Sequence, residues 1–214
     1  MLKDMILRDF VEELASNSPA PGGGSVAALS GSLAGALTCM VFNLTVGKKD
    51  YNEFDEAKRK AIDLGLTESK KFKNEFLDLM EKDVEAFMDL MAAFKMPKSE
   101  ENEIKLRGEK IRSGYKKALE IPLEVAKQAL KIYDYIETAS KWGNKNAVSD
   151  AGVAAILNQS AIEGAVLNVR INLSSIKDED YKNNIEKQCT VLLSEGLRRK
   201  EEIIETVNSR IMAK

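Results

Sequence analysis

The sequence predicts an all-α fold: a single-domain helical bundle with two buried central helices made of small residues. Only four prolines and 13 glycines interrupt the 214 residues, and no run alternates polar and apolar residues for long enough to indicate a strand. Several long segments instead repeat apolar residues at helical spacing. A chain of this length can bury a core without disulfides or a metal, so we expect residues 1–214 to form one domain.

The predicted helices follow from apolar spacing and from the residues that end each segment. Pro97 ends one long helix, and Pro122 suits the first turn of a new one. Ser25 and Ser149 are the expected N-caps of the two small-residue helices. These signals predict helices over residues 6–16, 25–46, 54–94, 100–117, 121–140, 150–173 and 178–214, with a turn at 142–146.

Composition and charge exclude several classes of partner. The 32 basic and 34 acidic residues nearly balance, so no strong overall field attracts nucleic acid or an anionic membrane. Segment 25–46 is long enough to cross a bilayer, and Gly31 and Gly35 form a GxxxG pair that is also compatible with packing between subunits. Its hydroxyl and amide side chains make membrane insertion costly, so we predict a buried helix. The first residues do not resemble a signal peptide, which predicts a cytoplasmic protein.

The residue types present restrict the chemistry. There is no histidine, so proton transfer must use Asp, Glu, Lys, Tyr or Cys. Cys39 and Cys189 lie far apart without a CxxC motif, and we interpret both as reduced core thiols. No metal site is predicted.

One acidic residue lies on an apolar helix face. Asp83 continues an inward stripe formed by Phe72, Phe76, Met80, Phe87, Leu90 or Met91, and Phe94. Burial disfavours an ionised carboxylate, so the pKa of Asp83 should be raised. A carboxyl group that titrates near neutrality can accept and donate a proton. The alternative is a structural aspartate bonded to a Ser, Tyr or Lys.

A glycine-rich turn precedes the first small-residue helix. Residues 19–24 read PAPGGG, and their backbone N–H groups at a helix start can hold a carboxylate or carbonyl oxygen. The spacing matches neither the P-loop nor the dinucleotide fingerprint, and a plain flexible turn is the alternative.

Other polar residues have both a structural and a functional interpretation. The structural interpretation of Lys48 and Lys49 is that they stabilise the C-terminus of the preceding helix. The functional one is that they bind an anionic substrate tail. Three amides are predicted at the inward ends of apolar helices: Asn43, Asn168 and Asn172. Each either forms a hydrogen bond to a neighbouring helix or contacts a ligand. Turn and capping positions form a third group: Asn144, Asn146 and Asp150.

Four segments together resemble the formiminotetrahydrofolate cyclodeaminase and methenyltetrahydrofolate cyclohydrolase family. The most specific is PAPGGGS within residues 18–28, and the match extends over essentially the whole chain. The other segments follow in the family's order: Gly47-Lys48-Lys49, Asp83 with Ala86-Phe87, and residues 143–150. The family pattern places its catalytic aspartate on Asp83.

The resemblance implies a fold, a reaction and partners. It implies a cyclodeaminase-like helical domain over residues 1–214 that forms a homodimer with folate near the subunit interface. The mammalian proteins carry a fused formiminotransferase, so a stand-alone version is expected here. The expected reaction is that of a lyase of one-carbon metabolism and histidine degradation, converting 5-formiminotetrahydrofolate to 5,10-methenyltetrahydrofolate with release of ammonia. The alternatives are methenyltetrahydrofolate cyclohydrolase activity or a non-catalytic helical scaffold.

The resemblance also implies a set of binding residues. Lys48 and Lys49 are expected to attract the folate glutamate carboxylates, and the remaining residues to orient the pterin or formimino group. No cofactor beyond tetrahydrofolate as the substrate carrier is expected, because the oxidation state of the transferred carbon does not change. The full predicted set is Pro21, Gly22, Gly23, Gly24, Ser25, Asn43, Lys48, Lys49, Asn144, Asn146, Asp150 and Asn168.

Overall fold

Seven α-helices account for most of residues 1–213, the part of the chain that this computed structural model describes. No strand occurs in that range, which confirms the all-α prediction. Two 3-10 helices, Leu2–Asp4 and Lys145–Ala147, accompany them. The α-helices are α1 (Leu7–Ala15), α2 (Gly23–Asn43), α3 (Lys49–Glu53), α4 (Glu56–Phe94), α5 (Glu101–Trp142), α6 (Val148–Leu173) and α7 (Glu179–Met212).

The two small-residue helices, α2 and α6, lie side by side in the centre of a single bundle, as predicted. Helix α2 packs between α4 and α6, α5 lies against both α4 and α6, and α7 covers another side of α6. The central pair is antiparallel, because Gly23 at the start of α2 lies beside Asn168 near the end of α6. At the other end, the Asn144 side-chain amide donates to the Leu44 carbonyl oxygen over 2.8 Å.

Glycines on α2 allow α4 to approach closely in an antiparallel register. A methyl group at Gly31 would lie 2.8 Å from the Phe76 ring, and one at Gly35 would lie 3.1 Å from the Lys73 backbone nitrogen. Both contacts are tighter than a Cβ atom normally tolerates. The Gly31 and Gly35 pair is therefore used for packing within the chain, and the suggested role between subunits is wrong for these two residues.

Helix α5 is continuous where the sequence predicted two helices. Pro122 lies inside α5 and lacks the N–H that would pair with the carbonyl oxygen of Ala118, four residues earlier. The Asn172 side chain on α6 donates to that oxygen over 3.0 Å. The helix continues because a neighbouring helix supplies the bond that proline removes.

Two predicted caps and some helix ends differ from the structure. Helix α2 begins at Gly23 after Gly22, and α6 begins at Val148, so neither Ser25 nor Ser149 is an N-cap. The Ser25 hydroxyl instead bonds to a side chain on α4. The five-residue α3 was not predicted, and the turn at 142–146 contains the start of a 3-10 helix. The predicted last helix reached Lys214, which lies outside the described residues.

Helix α2 is long and apolar enough to cross a membrane by length and composition alone. In the structure, 61% of its most apolar window is buried inside the bundle. That burial is typical of a core helix.

The bond from Asn172 to Ala118 can be tested by a double-mutant cycle. We expect Asn172→Ala to cost about 1–2 kcal/mol, because it leaves a carbonyl oxygen without a donor. In a Pro122→Ala background the residue 122 N–H can pair with that oxygen, so the same change should cost less, with a coupling of at least about 0.5 kcal/mol. Urea unfolding of the four proteins measures the coupling. Additive effects would contradict this explanation of the continuous helix.

Candidate active site

A cleft of about 380 Å³ opens where α2 begins, between α4, α5 and the end of α6. Its size falls within the range of small-molecule sites, about 300–1,000 Å³. The structure brings together here the glycine turn, Asp83 and one predicted amide. The polar part of the lining consists of Gly22, Gly23, Gly24, Asp83, Asn168 and Asn172.

Asp83 is held directly against the first turn of α2. The Ser25 hydroxyl donates to Asp83 Oδ2 over 3.1 Å. A methyl group at Gly24 would lie 2.6 Å from Asp83 Oδ2, so only glycine leaves room for the carboxylate. Ser25 and Gly24 are buried and Asp83 is partly buried. The α2 helix start therefore positions the carboxylate through one hydroxyl and one missing side chain.

Burial raises the pKa of Asp83 above the ordinary value for an aspartate, since the charged form loses hydration. The Ser25 hydroxyl and backbone N–H act in the opposite direction and lower the pKa. Desolvation is the larger effect. A carboxyl group whose pKa is raised is a stronger base than an ordinary aspartate and is suited to proton transfer.

Beyond Asp83, the part of the cleft lined by α4 is apolar. Phe87, Leu90, Met91 and Phe94 from α4 form one wall, and Tyr115 from α5 stands against Phe94 at a ring-centroid distance of 6.1 Å. Within the described lining, Asp83 is the one carboxylate and there is no lysine or arginine. This wall suits a flat, uncharged ring beside a single proton-transferring group.

Two amides at the end of α6 present their oxygens to the cleft. Asn168 Nδ2 donates to the Gly164 carbonyl over 2.8 Å, and Asn172 Nδ2 donates to the carbonyls of Ala118 and Asn168 over 3.0 Å. These bonds fix which end of each amide is the nitrogen. The side-chain oxygens accept no bond from the described residues and remain available to N–H groups of a ligand. Asn172 was absent from the predicted binding set, although its inward amide was a usable signal.

Four other predicted residues line a different cleft, of about 660 Å³, at the far end of α2: Lys48, Lys49, Asn144 and Asn146. The 21 residues of α2 separate the two clefts by roughly 30 Å within one chain. Asn144 also has a structural role there, because it accepts the Asn146 N–H over 2.9 Å.

Four predicted residues lie outside both cleft linings: Pro21, Ser25, Asn43 and Asp150. Asn43 is exposed and bonds to Cys39 Sγ over 3.6 Å, so the inward amide predicted at this position is wrong. Asp150 lies in the first turn of α6, and Pro21 is buried behind a cis Ala20–Pro21 peptide bond. Across residues 1–213, no group of three or more His, Cys, Asp or Glu side chains is arranged to hold a metal ion.

The fold and the site define an all-α protein with a single carboxylate in the lining of a cleft of small-molecule size. The sequence model described as formiminotransferase-cyclodeaminase matches residues 6–191. The chain therefore belongs to the formiminotransferase-cyclodeaminase family, which confirms the resemblance drawn from its motifs.

Individual relatives are known by two related activities. The chain is 36% identical over 205 residues to methenyltetrahydrofolate cyclohydrolase from Methylorubrum extorquens, covering 96% of this chain and 97% of the relative. It is 34% identical over 187 residues to formimidoyltransferase-cyclodeaminase from Gallus gallus, covering 87% of this chain but 34% of that longer protein. Both relatives are enzymes, and this chain is an enzyme of the same family and not a non-catalytic scaffold.

A solved structure agrees with the fold. The crystal structure of formiminotetrahydrofolate cyclodeaminase from Thermotoga maritima superposes with a TM-score of 0.80 at 28% identity, covering 100% of this chain and 98% of that chain. The helical architecture that carries the Asp83 cleft is therefore that of a cyclodeaminase.

The close contact at Gly24 gives a stability prediction. We expect Gly24→Ala to destabilise the protein by about 1–3 kcal/mol, because the new methyl group overlaps the Asp83 carboxylate. Gly108→Ala on α5 is the matched control, since its methyl group meets only Arg112 Nη1 at 3.5 Å and should stabilise the helix by up to about 1 kcal/mol. Denaturant unfolding compares the two variants. Equal effects would show that Gly24 is not needed for space.

Proposed function

We propose that this enzyme converts 5-formiminotetrahydrofolate to 5,10-methenyltetrahydrofolate with release of ammonia, with Asp83 as the proton-transferring residue. The observation that carries the proposal is the partly buried Asp83 carboxylate, bonded to Ser25 over 3.1 Å and placed in a cleft whose α4 wall is otherwise apolar. A site of this kind fits a pterin ring and an acid-base reaction at its edge.

In this proposal the reaction proceeds through a tetrahedral carbon. Folate N10 attacks the carbon of the protonated N5-formimino group, which forms the N10–C bond and turns the iminium nitrogen into an amine. Asp83 takes the proton from N10 and delivers a proton to that amine. The C–N bond then breaks, ammonia leaves with the bonding electrons, and the methenyl bridge remains. The raised pKa of Asp83 suits both transfers, because burial makes the carboxylate a stronger base toward N10 and the carboxyl group that forms can return the proton to the leaving amine.

A second candidate reaction is hydrolysis of the methenyl bridge. The Methylorubrum extorquens cyclohydrolase, 36% identical and matched over 97% of its length, favours it. Here Asp83 would accept a proton from water as the water oxygen attacks the bridge carbon. One bridge C–N bond would then break, and Asp83 would return the proton to the nitrogen that leaves. Ammonia release from formiminotetrahydrofolate, measured beside the loss of methenyl absorbance at the same enzyme concentration, distinguishes the two. Faster ammonia release supports the cyclodeaminase.

The proposed role of Asp83 predicts opposite effects on rate and stability. We expect Asp83→Asn to lower turnover by about a hundredfold or more, since the amide cannot exchange protons. Because folding raises the pKa of Asp83, its ionised form destabilises the native state. This destabilisation is absent below the ordinary pKa of an aspartate, and it appears as the pH rises through the pKa that Asp83 has in the folded protein. The variant should therefore melt at the same or a higher temperature at pH 7, with a smaller gain near pH 4.

Glu85→Gln is the matched control for this experiment. Glu85 is an exposed carboxylate on α4, two residues from Asp83 and outside the cleft lining. It should leave both turnover and melting temperature nearly unchanged. Full turnover in Asp83→Asn would remove the proposed role.

We also propose that the active form is a homodimer in which a second copy reunites the two parts of the predicted site. Helix α2 exposes a stripe at heptad spacing that includes Leu33, Met40 and Leu44, and α6 exposes a second apolar row. The ends of this face touch both clefts. Leu44 lines the cleft that contains Lys48 and Lys49, and Ile171 lines the Asp83 cleft. A two-fold axis at its centre brings Lys48 and Asn144 of the partner subunit alongside Asp83.

The homodimer proposal predicts that charge on this face separates the subunits. We expect Leu33→Glu combined with Met40→Glu to give a monomer by analytical ultracentrifugation, with helical content kept and turnover reduced at least about tenfold, because charges are costly in an apolar interface. Leu64→Glu on α4, also exposed but not part of the α2 stripe or the α6 row, should remain dimeric. A fully active monomer would contradict the shared site.

The cytoplasmic location and the absence of nucleic-acid and membrane partners stay predictions from the sequence.

A further inference from the structure

The end of the last helix reaches back onto the turn at 142–146. Arg210, in the last turn of α7, donates through Nη1 to the Ser140 carbonyl oxygen over 2.6 Å and through Nη2 to the Gly143 carbonyl oxygen over 2.7 Å. These two partners lie 70 and 67 residues away in sequence, and both are buried. One planar guanidinium therefore binds two points of the chain where α5 ends.

The carbonyl oxygen of Ser140 needs a donor from outside its own helix. In a helix that continued, the N–H of Asn144 would pair with it, but that N–H donates to Thr45 Oγ1 over 2.9 Å. A cation also suits a helix C-terminus, where the dipole is negative. Burial lowers the pKa of the Arg210 guanidinium because the group loses hydration, and its N–H groups find backbone carbonyls in place of water.

The end of α2 holds the same turn from a second side. The Asn144 side-chain amide donates to the Leu44 carbonyl oxygen over 2.8 Å. A methyl group at Gly143 would lie 2.4 Å from Val41 Cγ1, so the turn lies directly against α2. Arg210 is the contribution of α7 to the lining of this cleft. The turn is therefore clamped between α2 and the end of α7.

This turn carries predicted binding residues of the proposed shared site. Asn144 and Asn146 line the cleft of about 660 Å³ together with Lys48 and Lys49. In the homodimer proposed above, this cleft lies alongside the Asp83 cleft of the other subunit. The position of the turn then sets where the two amides stand relative to that carboxylate.

We propose that Arg210 is a positioning residue that holds the turn at 142–146 in place for the active site of the other subunit. This inference rests on the proposed function, because it takes the shared site of the homodimer as given. Arg210 does not line the Asp83 cleft, so it acts through the turn and not on proton transfer. It also lies beyond residue 191, where the match to the family model ends. The end of α7 thus supports the site from outside the matched region.

The first test compares substitutions on α7. We expect Arg210→Met to lower kcat/KM by about tenfold or more, because a small displacement of binding groups is costly. The pH dependence of turnover should stay unchanged, since Asp83 is untouched. Arg210→Lys keeps one donor and the charge, so it should recover part of the loss. Arg198→Met is the matched control: Arg198 pairs with Glu195 and Glu202 of its own helix, and wild-type kcat/KM is expected.

The second test uses heterodimers, which separate support of the other subunit from support within one chain. Two chains with different affinity tags are coexpressed, and the mixed dimer is purified. Asp83→Asn paired with Arg210→Met keeps one intact site, so kcat/KM should be about half of the wild-type value. A wild-type chain paired with a chain that carries both substitutions has one defect in each site. Its kcat/KM should be about a tenth of the wild-type value or less.

The opposite pattern in the two heterodimers would place the effect of Arg210 within its own chain and overturn the inference. Wild-type kcat/KM in Arg210→Met, or a wild-type protein that is monomeric by ultracentrifugation, would overturn it as well. If Arg210→Met loses helical content by circular dichroism, Arg210→Lys replaces it in both heterodimers.

Failure of the proposed reaction is a separate outcome, seen as full turnover in the Asp83→Asn homodimer. Calorimetric binding of tetrahydrofolate then decides the role of Arg210 without any turnover. Affinity about tenfold weaker in Arg210→Met than in Arg198→Met supports the positioning role, and equal affinity contradicts it.

Discussion

The close packing of α2 on α4 is the constraint on which the rest of the structure depends. Gly24, Gly31 and Gly35 remove side chains along one face of α2, so α4 approaches until its own side chains fill the gaps. This approach sets the register of the two helices and leaves the Asp83 carboxylate against the first turn of α2. The same contact that builds the core thus fixes a charged group where water has limited access.

Much of this arrangement was visible in the sequence, because it depends on local spacing. Apolar periodicity placed Asp83 on the inner face of a long helix, and the glycine run marked the start of α2. The features that were missed depend on residues distant in sequence. Pro122 looked like a helix start because its replacement donor, Asn172, lies on another helix. Ser25 looked like an N-cap because its partner, Asp83, is 58 residues away.

Motif order along the chain also concealed how far apart the predicted site residues lie in space. The glycine turn and Gly47-Lys48-Lys49 are only two dozen residues apart, yet a helix of 21 residues separates them completely. Proximity in sequence across a long helix means separation in space. An exposed apolar face runs between the two clefts, so a symmetric second copy is the simplest means of joining them. The face itself follows from α2 burying most of its small residues while leaving Leu33 and Met40 exposed.

The interlocking of α2 and α4 also restricts how this protein can change over evolution. The Phe42 ring lies 2.5 Å from where a methyl group at Gly65 would stand, and Phe76 fills the space beside Gly31 in the same way. A larger residue on one helix is accommodated only if its neighbour on the other shrinks. Homologous sequences should therefore show correlated substitutions between these two helices. A designer who wishes to move the carboxylate must change residues on α2 and on α4 together.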